Sequence, residues 1–531
     1  MSEWWRGAAI YQVYVRSFFD TDGDGIGDLG GVIAKLDYIA SLGVDGIWLS
    51  PFYPSPMKDF GYDVADYCDV DPVFGDLDQF DALLQGAHDR GLKVIIDQVW
   101  SHTSDRHPWF AESAASPDGP KADWYVWAEP KADGSPPNNW LAVFGGPSWT
   151  WGSRRHRYYM HNFLPEQPDL NYWNPEVQEA ILNVARFWLD RGVDGFRLDV
   201  INCLFHDREL RNNPPREPSS RNAQPTQMQS HQYDRTRPEA LGFVRRLRRL
   251  MEGYDQRMAV GEVFDEAALA VQQAYTTPPD GLHTAYSFYL LDATEATPAL
   301  FATAIESWSG ALGWPAWSLG NHDVARYPTR LAHGDGRLTR TLMAALLSLR
   351  GAAFLYQGEE LGLPQADVPF ARLRDPFAIA AYAGEAGRDG ARTPMPWLAD
   401  APLCGFSTAF DAWLPVDPAH ALFAADLQES DPASMLWFTR AILALRRGER
   451  TLREGRCALL PAPPGVLAFE RGLGQDRIQC LFELTGRAAV FATGESAVEA
   501  LSLWQGAAIE PGFVRLEPYS GALIRRPENR A

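Results

Sequence analysis

Apolar positions along this chain follow two alternating rhythms. Short runs rich in β-branched and aromatic residues recur: AIYQVYVRSF (9–18), VDGIWLSP (44–51), KVIIDQV (93–99), GFRLDV (195–200), MAVGEV (258–263), HTAYSFYL (283–290), PAWSLGNHD (315–323) and AAFLYQGEE (352–360). Between them, apolar residues return every three or four positions. In GVIAKLDYIASLG, Val32, Leu36, Ile39 and Leu42 share one helical face; in QEAILNVARFWLDRG the set is Ile181, Val184, Phe187 and Trp188, ahead of Gly192. Strands that alternate with helices pair in parallel, and eight of them predict an α/β fold of the (β/α)8 barrel (TIM barrel) type.

Two segments break the rhythm, both after strands, where barrel enzymes carry their active-site loops. Residues 103–170 are rich in Pro, Trp and Asn with little helical period, and read as a small inserted domain after strand 3. After GFRLDV comes LRNNPPREPSSRNAQPTQMQSHQYDRTRP, too long for an ordinary connection and placed to cap the site. Beyond about residue 453 the pattern is strands alone (GVLAFER, RIQCLFEL, RAAVFATG, FVRLEPYSGALIRR), which predicts a C-terminal antiparallel β-sandwich. The expected division is a barrel at 1–102 and 171–452, an insert at 103–170 and a sandwich at 453–531. The arginine-rich FVRRLRRLME keeps Leu241, Val244, Leu247 and Met251 on one apolar face, so its arginines read as a wet helix face.

Composition narrows the partners. A formal charge of −20 over 531 residues opposes nucleic acid and anionic membrane, and favours small neutral substrates. The 19 Trp, 19 Tyr and 27 Phe offer faces on which sugar rings stack. Five scattered cysteines without CxxC spacing argue against a disulfide framework and a zinc site. No run of about 18 apolar residues and no basic-then-apolar leader is found, so the expectation is an unexported, cytoplasmic protein without a membrane anchor. The sequence leaves the oligomeric state open.

Three strand ends finish in carboxylates: Asp199 in GFRLDV, Glu262 in VGEVF and Asp323 in LGNHD. A barrel would bring all three to its C-terminal mouth. Arg197, two residues before Asp199 and so on the same side of the strand, would keep Asp199 ionised, as a nucleophile requires. Near the start, DTDGDGIGDLGG (20–31) has the Asp spacing of an EF-hand loop, but Gly31 stands where the closing Glu belongs.

The motifs DQVWSHT, GFRLDV, GEVF, NHD and QPDLN, with DFGYDVADY and GRDGARTPMPW, resemble those of the α-amylase family, glycoside hydrolase family 13, and most of all its α-glucosidase and oligo-1,6-glucosidase branch. The resemblance implies that Asp199 is the nucleophile, Glu262 the general acid and base, and Asp323 the carboxylate that holds substrate hydroxyls. Such retaining chemistry needs two close carboxyls, one to attack and one, protonated at the start, to release the leaving oxygen. It further implies that His102 and His322 bind the sugar at the cleavage point, that Asp59 and Arg392 hold the far hydroxyls of a terminal glucose, and that Tyr62 stacks beneath its ring. Phe144, Phe163 and Gln167 would line the pocket from the insert, and Asp97 would support the site without reacting. One departure is Ser101, where the family usually has Asn before the histidine.

A pocket blocked by Asp59 and Arg392 implies exo action with release of terminal glucose from short α-glucosides, with transfer of glucose to other acceptors as a companion reaction. Val200, directly after the nucleophile, resembles the α-1,6 marker of the branch, whereas the loop ending HQYDRTRPE resembles enzymes of short substrates, so maltose, isomaltose and sucrose all stay open. Alternatives are an oligo-1,6-glucosidase, a trehalose-synthase-like glucose transferase, and a non-catalytic transporter-subunit barrel. The last is disfavoured because Arg197, Asp199, Glu262 and Asp323 are all present. At residues 20–28 the branch has a metal-binding loop, which implies structural calcium, or magnesium, on Asp20, Asp22, Asp24, Asp28 and the carbonyl of Ile26.

Overall fold

The computed structural model describes residues 3–217, 225–380, 387–494 and 498–526. Eight parallel strands form the expected barrel: β1 (Ala9–Val13), β2 (Gly46–Leu49), β3 (Lys93–Gln98), β4 (Gly195–Leu198), β5 (Met258–Val263), β6 (Thr284–Ser287), β7 (Ala316–Ser318) and β8 (Ala352–Tyr356). Each pairs with its sequence neighbour from β1 to β6, β7 pairs with β8 and β8 with β1, and a parallel bridge from Ala285 to Pro315 joins the remaining edge.

The strands are buried on both faces, as helix-covered parallel sheets require. Ile10, Trp48, Ile95, Met258, Val260, Ala316 and Phe354 pack together in the barrel interior. Ala9, Tyr11, Val13, Ile47 and Leu49 point the other way, into the larger core shared with the helices. Counting in twos along the inward face, Ile10 is followed by Gln12, Ile95 by Asp97, and Met258 and Val260 by Glu262. The interior is therefore apolar at its base and turns polar at the C-terminal ends, which is where the site lies.

Several runs are shorter as strands than the apolar pattern implies. After Val13, the Tyr14 amide donates to the Gln357 side chain and the chain turns into a short 3-10 segment, Val15–Ser17. HTAYSFYL leaves the sheet at Ser287, and Phe288–Leu291 is helical. GVIAKLDYIASLG forms two helices, Leu29–Ala34 and Leu36–Leu42, broken at Lys35. Pro175–Arg191 is one helix, capped by the Asn174 side chain and ended by Gly192 at φ 106°. In the helix Ala240–Met251 the buried face is Ala240, Phe243, Val244, Leu247 and Met251, so Phe243 takes the place expected of Leu241; Arg246 pairs with Glu179 and Arg248 with Glu252.

The stretch 103–170 holds one helix, Pro108–Ala115, and a three-stranded antiparallel sheet of Trp127–Ala128, Arg157–Met160 and Trp149–Gly152. The helix was not expected. The C-terminal residues form a five-stranded and a three-stranded antiparallel sheet, whose facing side chains, among them Leu481, Phe491, Val514 and Ile524, make one core. The centre of the long segment after β4, 218–224, lies outside the described residues. All five cysteines are free thiols, and no described helix is long and apolar enough to cross a membrane.

Candidate active site

At the C-terminal mouth one guanidinium organises three carboxylates. Arg197, wholly buried, places Nη1 2.7 Å from Asp199 Oδ1 and 2.8 Å from Asp97 Oδ1, and Nη2 2.5 Å from Glu262 Oε1. The Tyr286 hydroxyl donates to Glu262 Oε1 at 2.9 Å, and the Val200 amide lies 3.3 Å from Oε2. Asp97 accepts from Tyr62 and Trp48 and does not line the cavity. Asp199 and Glu262 are thus held by two nitrogens of one guanidinium.

The electrostatics differ from the expectation that Arg197 alone holds Asp199 ionised. Burial raises the Asp199 carboxyl well above its ordinary range, Arg197 opposes this, and the nearby Glu262, Asp97 and Asp323 add to the rise. One cation is thus shared among three carboxylates. Asp323 behaves in the opposite way. Burial would raise it, but His322, Arg392 and Arg388 outweigh burial and hold it well below the usual carboxylate range.

A cavity of about 230 Å³ opens over these groups, lined by Asp199, Glu262 and Asp323 together with the expected Asp59, Tyr62, His102, Phe144, Phe163, Gln167 and Val200. His102, with its pKa pushed down to about 4 by burial, is hydrogen-bonded to Ser101 Oγ (2.9 Å) and to the Tyr62 carbonyl (3.0 Å). Ser101 thus supplies a hydrogen bond to the ring despite departing from the family pattern. His322 is fully buried, stacked between Tyr62 (5.2 Å, 7°) and Tyr14 (5.5 Å, 18°); Gln12 lies 2.8 Å from its Nδ1, and its Nε2 is 3.2 Å from Asp323. Val200 stands in the left-handed region at φ 32°, a strained conformation for a β-branched residue.

Arg392 is not where the motif placed it. It is fully buried beneath the cavity, donating Nε to the His322 carbonyl at 2.7 Å and Nη2 to Asp323 at 2.8 Å. The arginine that faces the pocket with Asp59 is Arg388, whose Nη2 lies 2.6 Å from Asp59 and 2.8 Å from Asp375, with Nη1 3.3 Å from Asp323. Both arginines belong to GRDGART, and only the fold tells which one faces the cavity: Arg388 immediately precedes the helical turn Asp389–Arg392 and Arg392 ends it. Asp375, Gln12, Tyr286 and the pocket phenylalanines 264, 288 and 377 were likewise not singled out. The inward period-2 pattern of β1 could have revealed Gln12. Asp63 also escaped notice: its carboxylate accepts from the Asp59 and Lys58 amides and from Ser55, and so shapes the loop that presents Asp59.

In the first βα loop, carboxylate oxygens of Asp20, Asp22 and Asp28 lie within 4.8 Å of one another. An all-oxygen trio of this kind fits a hard divalent cation. Asp24, expected to join them, stands outside this group and accepts the Ile26 amide at 2.7 Å. The loop precedes Leu29–Ala34 and follows β1, so it does not join two helices as an EF-hand does.

Comparison with known proteins agrees with this geometry. Residues 12–455 match the family described as "Alpha amylase, catalytic domain". A "Probable alpha-glucosidase" of Rhizobium meliloti (strain 1021) is 50% identical, covering 92% of this chain and 90% of its own. An "Oligo-1,6-glucosidase" of Heyndrickxia coagulans is 35% identical, covering 89% and 90%. Among solved structures, an "alpha-glucosyl transfer enzyme" superposes with a TM-score of 0.96 at 46% identity over 99% of this chain and 100% of its own, and a trehalulose synthase with 0.90 at 30% over 98% and 100%. A family match across most of the chain, with relatives this similar over nearly the full length, shows that the protein is a glycoside hydrolase of the α-amylase family.

Proposed function

We propose that this protein is an exo-acting, retaining α-glucosidase that removes terminal glucose from short α-glucosides by double displacement, and passes part of that glucose to acceptors other than water. The observation that carries the exo reading is the Arg388 clamp. By pairing with Asp59, Asp375 and Asp323 it closes the pocket beyond the catalytic carboxyls, leaving room for one ring where an endo-acting enzyme needs a cleft.

In the first step an Asp199 oxygen attacks the anomeric carbon while Glu262 gives its proton to the leaving oxygen. In the second, the Glu262 carboxylate takes a proton from the incoming hydroxyl, which displaces Asp199. Arg197 touches both carboxyls and so follows the charge as it moves between them. Asp323, held anionic by its cationic neighbours, accepts from sugar hydroxyls. The similarity to an alpha-glucosyl transfer enzyme supports the transfer branch, as do the phenylalanines 264, 288 and 377, which give an incoming acceptor an apolar wall in place of open water. Calcium on Asp20, Asp22 and Asp28 would be structural, and the free thiols suit a reducing cytoplasm.

Turnover of maltose, isomaltose, sucrose and soluble starch tests the reading. Short substrates should be cleaved rapidly with glucose as the product, the ratio of maltose to isomaltose turnover reporting linkage. Rapid hydrolysis of starch to oligosaccharides would refute the exo assignment. Asp199→Ala should abolish turnover of a nitrophenyl α-glucoside, and Glu262→Gln should nearly abolish it while substrate still binds; wild-type activity in Asp199→Ala would refute the mechanism.

A further inference from the structure

One buried cation outside the catalytic pocket makes no ion pair among the described residues. Arg16, in the 3-10 segment after β1, is 6% exposed, and Asp71 and Asp24 attract it only from beyond contact distance. Its guanidinium packs over the corner made by Trp413 and Phe60, 4.4 and 5.0 Å from the ring centroids. Its Nη1 reaches only Met57 Sδ at 3.5 Å, and its Nε has no acceptor. Aromatic faces stabilise the plane of a guanidinium but leave its N–H edge unsatisfied, whereas the buried Arg326, Arg446 and Arg471 satisfy theirs with backbone carbonyls.

Arg16 forms part of the wall of a second cavity, of about 610 Å³, distinct from the one over Asp199. A second, exposed arginine, Arg374, lies in its wall with the apolar Leu373 and Ile379. The two carboxylates in that wall are both exposed and already engaged: Asp411 pairs with Arg372 at 3.0 Å, and Asp24 accepts the Ile26 amide. The deep end of the cavity is therefore cationic and aromatic, and its rim mixed.

We propose that this cavity binds a small organic oxyanion, with its carboxylate or phosphate group against the Arg16 guanidinium where it lines the wall and its body against Trp413 and Ile379. Two residues of this wall are chain neighbours of the donor clamp: Phe60 follows Asp59, and Arg374 precedes Asp375, and both of these aspartates pair with Arg388. Occupancy of the cavity biases the clamp and with it the KM for the glucose donor.

The test uses the full-length protein with inorganic phosphate and acetate as separate probes, at constant ionic strength. The expected result is a saturable rise in Tm of about 2 °C or more with at least one probe, lost in Arg16→Gln and in Ile379→Asp, and a change in donor KM over the same concentrations. Ile379 is 49% exposed, so its variant reports even if Arg16→Gln does not fold. A response to phosphate alone identifies a phosphate ester as the ligand class, and one to acetate alone a carboxylate. No saturable rise with either probe, or an undiminished rise in Ile379→Asp, overturns the site. A rise without any change in KM overturns its coupling to the clamp.

Discussion

Arg388 and Arg392 stand four residues apart and have different surroundings, so their removal should fail in different ways. Arg388 faces the cavity with Asp59, and Arg388→Ala should raise KM and lower kcat/KM by about 10²–10³-fold, the loss of two or three charge-assisted contacts, with a small change in Tm. Arg392 is sealed under His322 and Asp323, and Arg392→Ala should destabilise the protein by about 2–4 kcal/mol, by emptying a buried guanidinium site and leaving the His322 carbonyl without its donor. Kinetics and melting curves on the two variants check both. A pH effect belongs to Glu359, wholly buried behind β8, whose pKa is pushed up to about 8 by burial. An acid raised in the fold above its unfolded value binds more protons when folded. Its contribution to stability is therefore complete below about pH 4.5 and is lost as pH rises through about 8. The Tm of Glu359→Gln should gain on that of wild type as pH rises from about 4.5 to about 8 and the margin should level off above that; a margin independent of pH would contradict the assignment. The catalytic carboxylates were legible as residues because they stand at or just beyond strand ends, whereas the sharing of Arg197 among three carboxylates was not, since it depends on which strands lie side by side.

Strand cores could be read from the sequence because β-branched and aromatic runs buried on both faces have few other solutions; MAVGEV matches its strand residue for residue. Strand ends could not. AIYQVYVRSF keeps its apolar character past Val13, but there the backbone turns to the Gln357 side chain in place of a neighbouring strand. The single expected helix at 31–43 breaks at Lys35, a position the apolar spacing passes through without a mark. The first βα loop shows the same limit, since its four aspartates look equivalent in sequence, whereas Asp24 accepts the Ile26 amide and stands outside the trio. If Asp20, Asp22 and Asp28 hold calcium, a chelator should lower Tm by several degrees, calcium should restore it, and KM for a nitrophenyl α-glucoside at low temperature should stay within about twofold. An unchanged Tm would remove the ion from the account.

At the scale of the whole molecule, the barrel makes distant sequence local. Asp59, Gln167, Asp323 and Arg388 come from the loop after β2, the inserted segment, the loop after β7 and the loop after β8, and meet around one cavity only because every C-terminal strand end faces the same way. Retention and exo action both follow from that convergence: side-by-side carboxyls over one arginine, and a far end closed by another. The most direct test follows a maltooligosaccharide by proton NMR during the first seconds of cleavage, before the released sugar mutarotates. The structure predicts α-glucose as the first-formed product, released one unit at a time. First-formed β-glucose would contradict the double displacement at Asp199, and shortening of the chain by two or more units per cleavage without release of glucose would contradict the closed pocket.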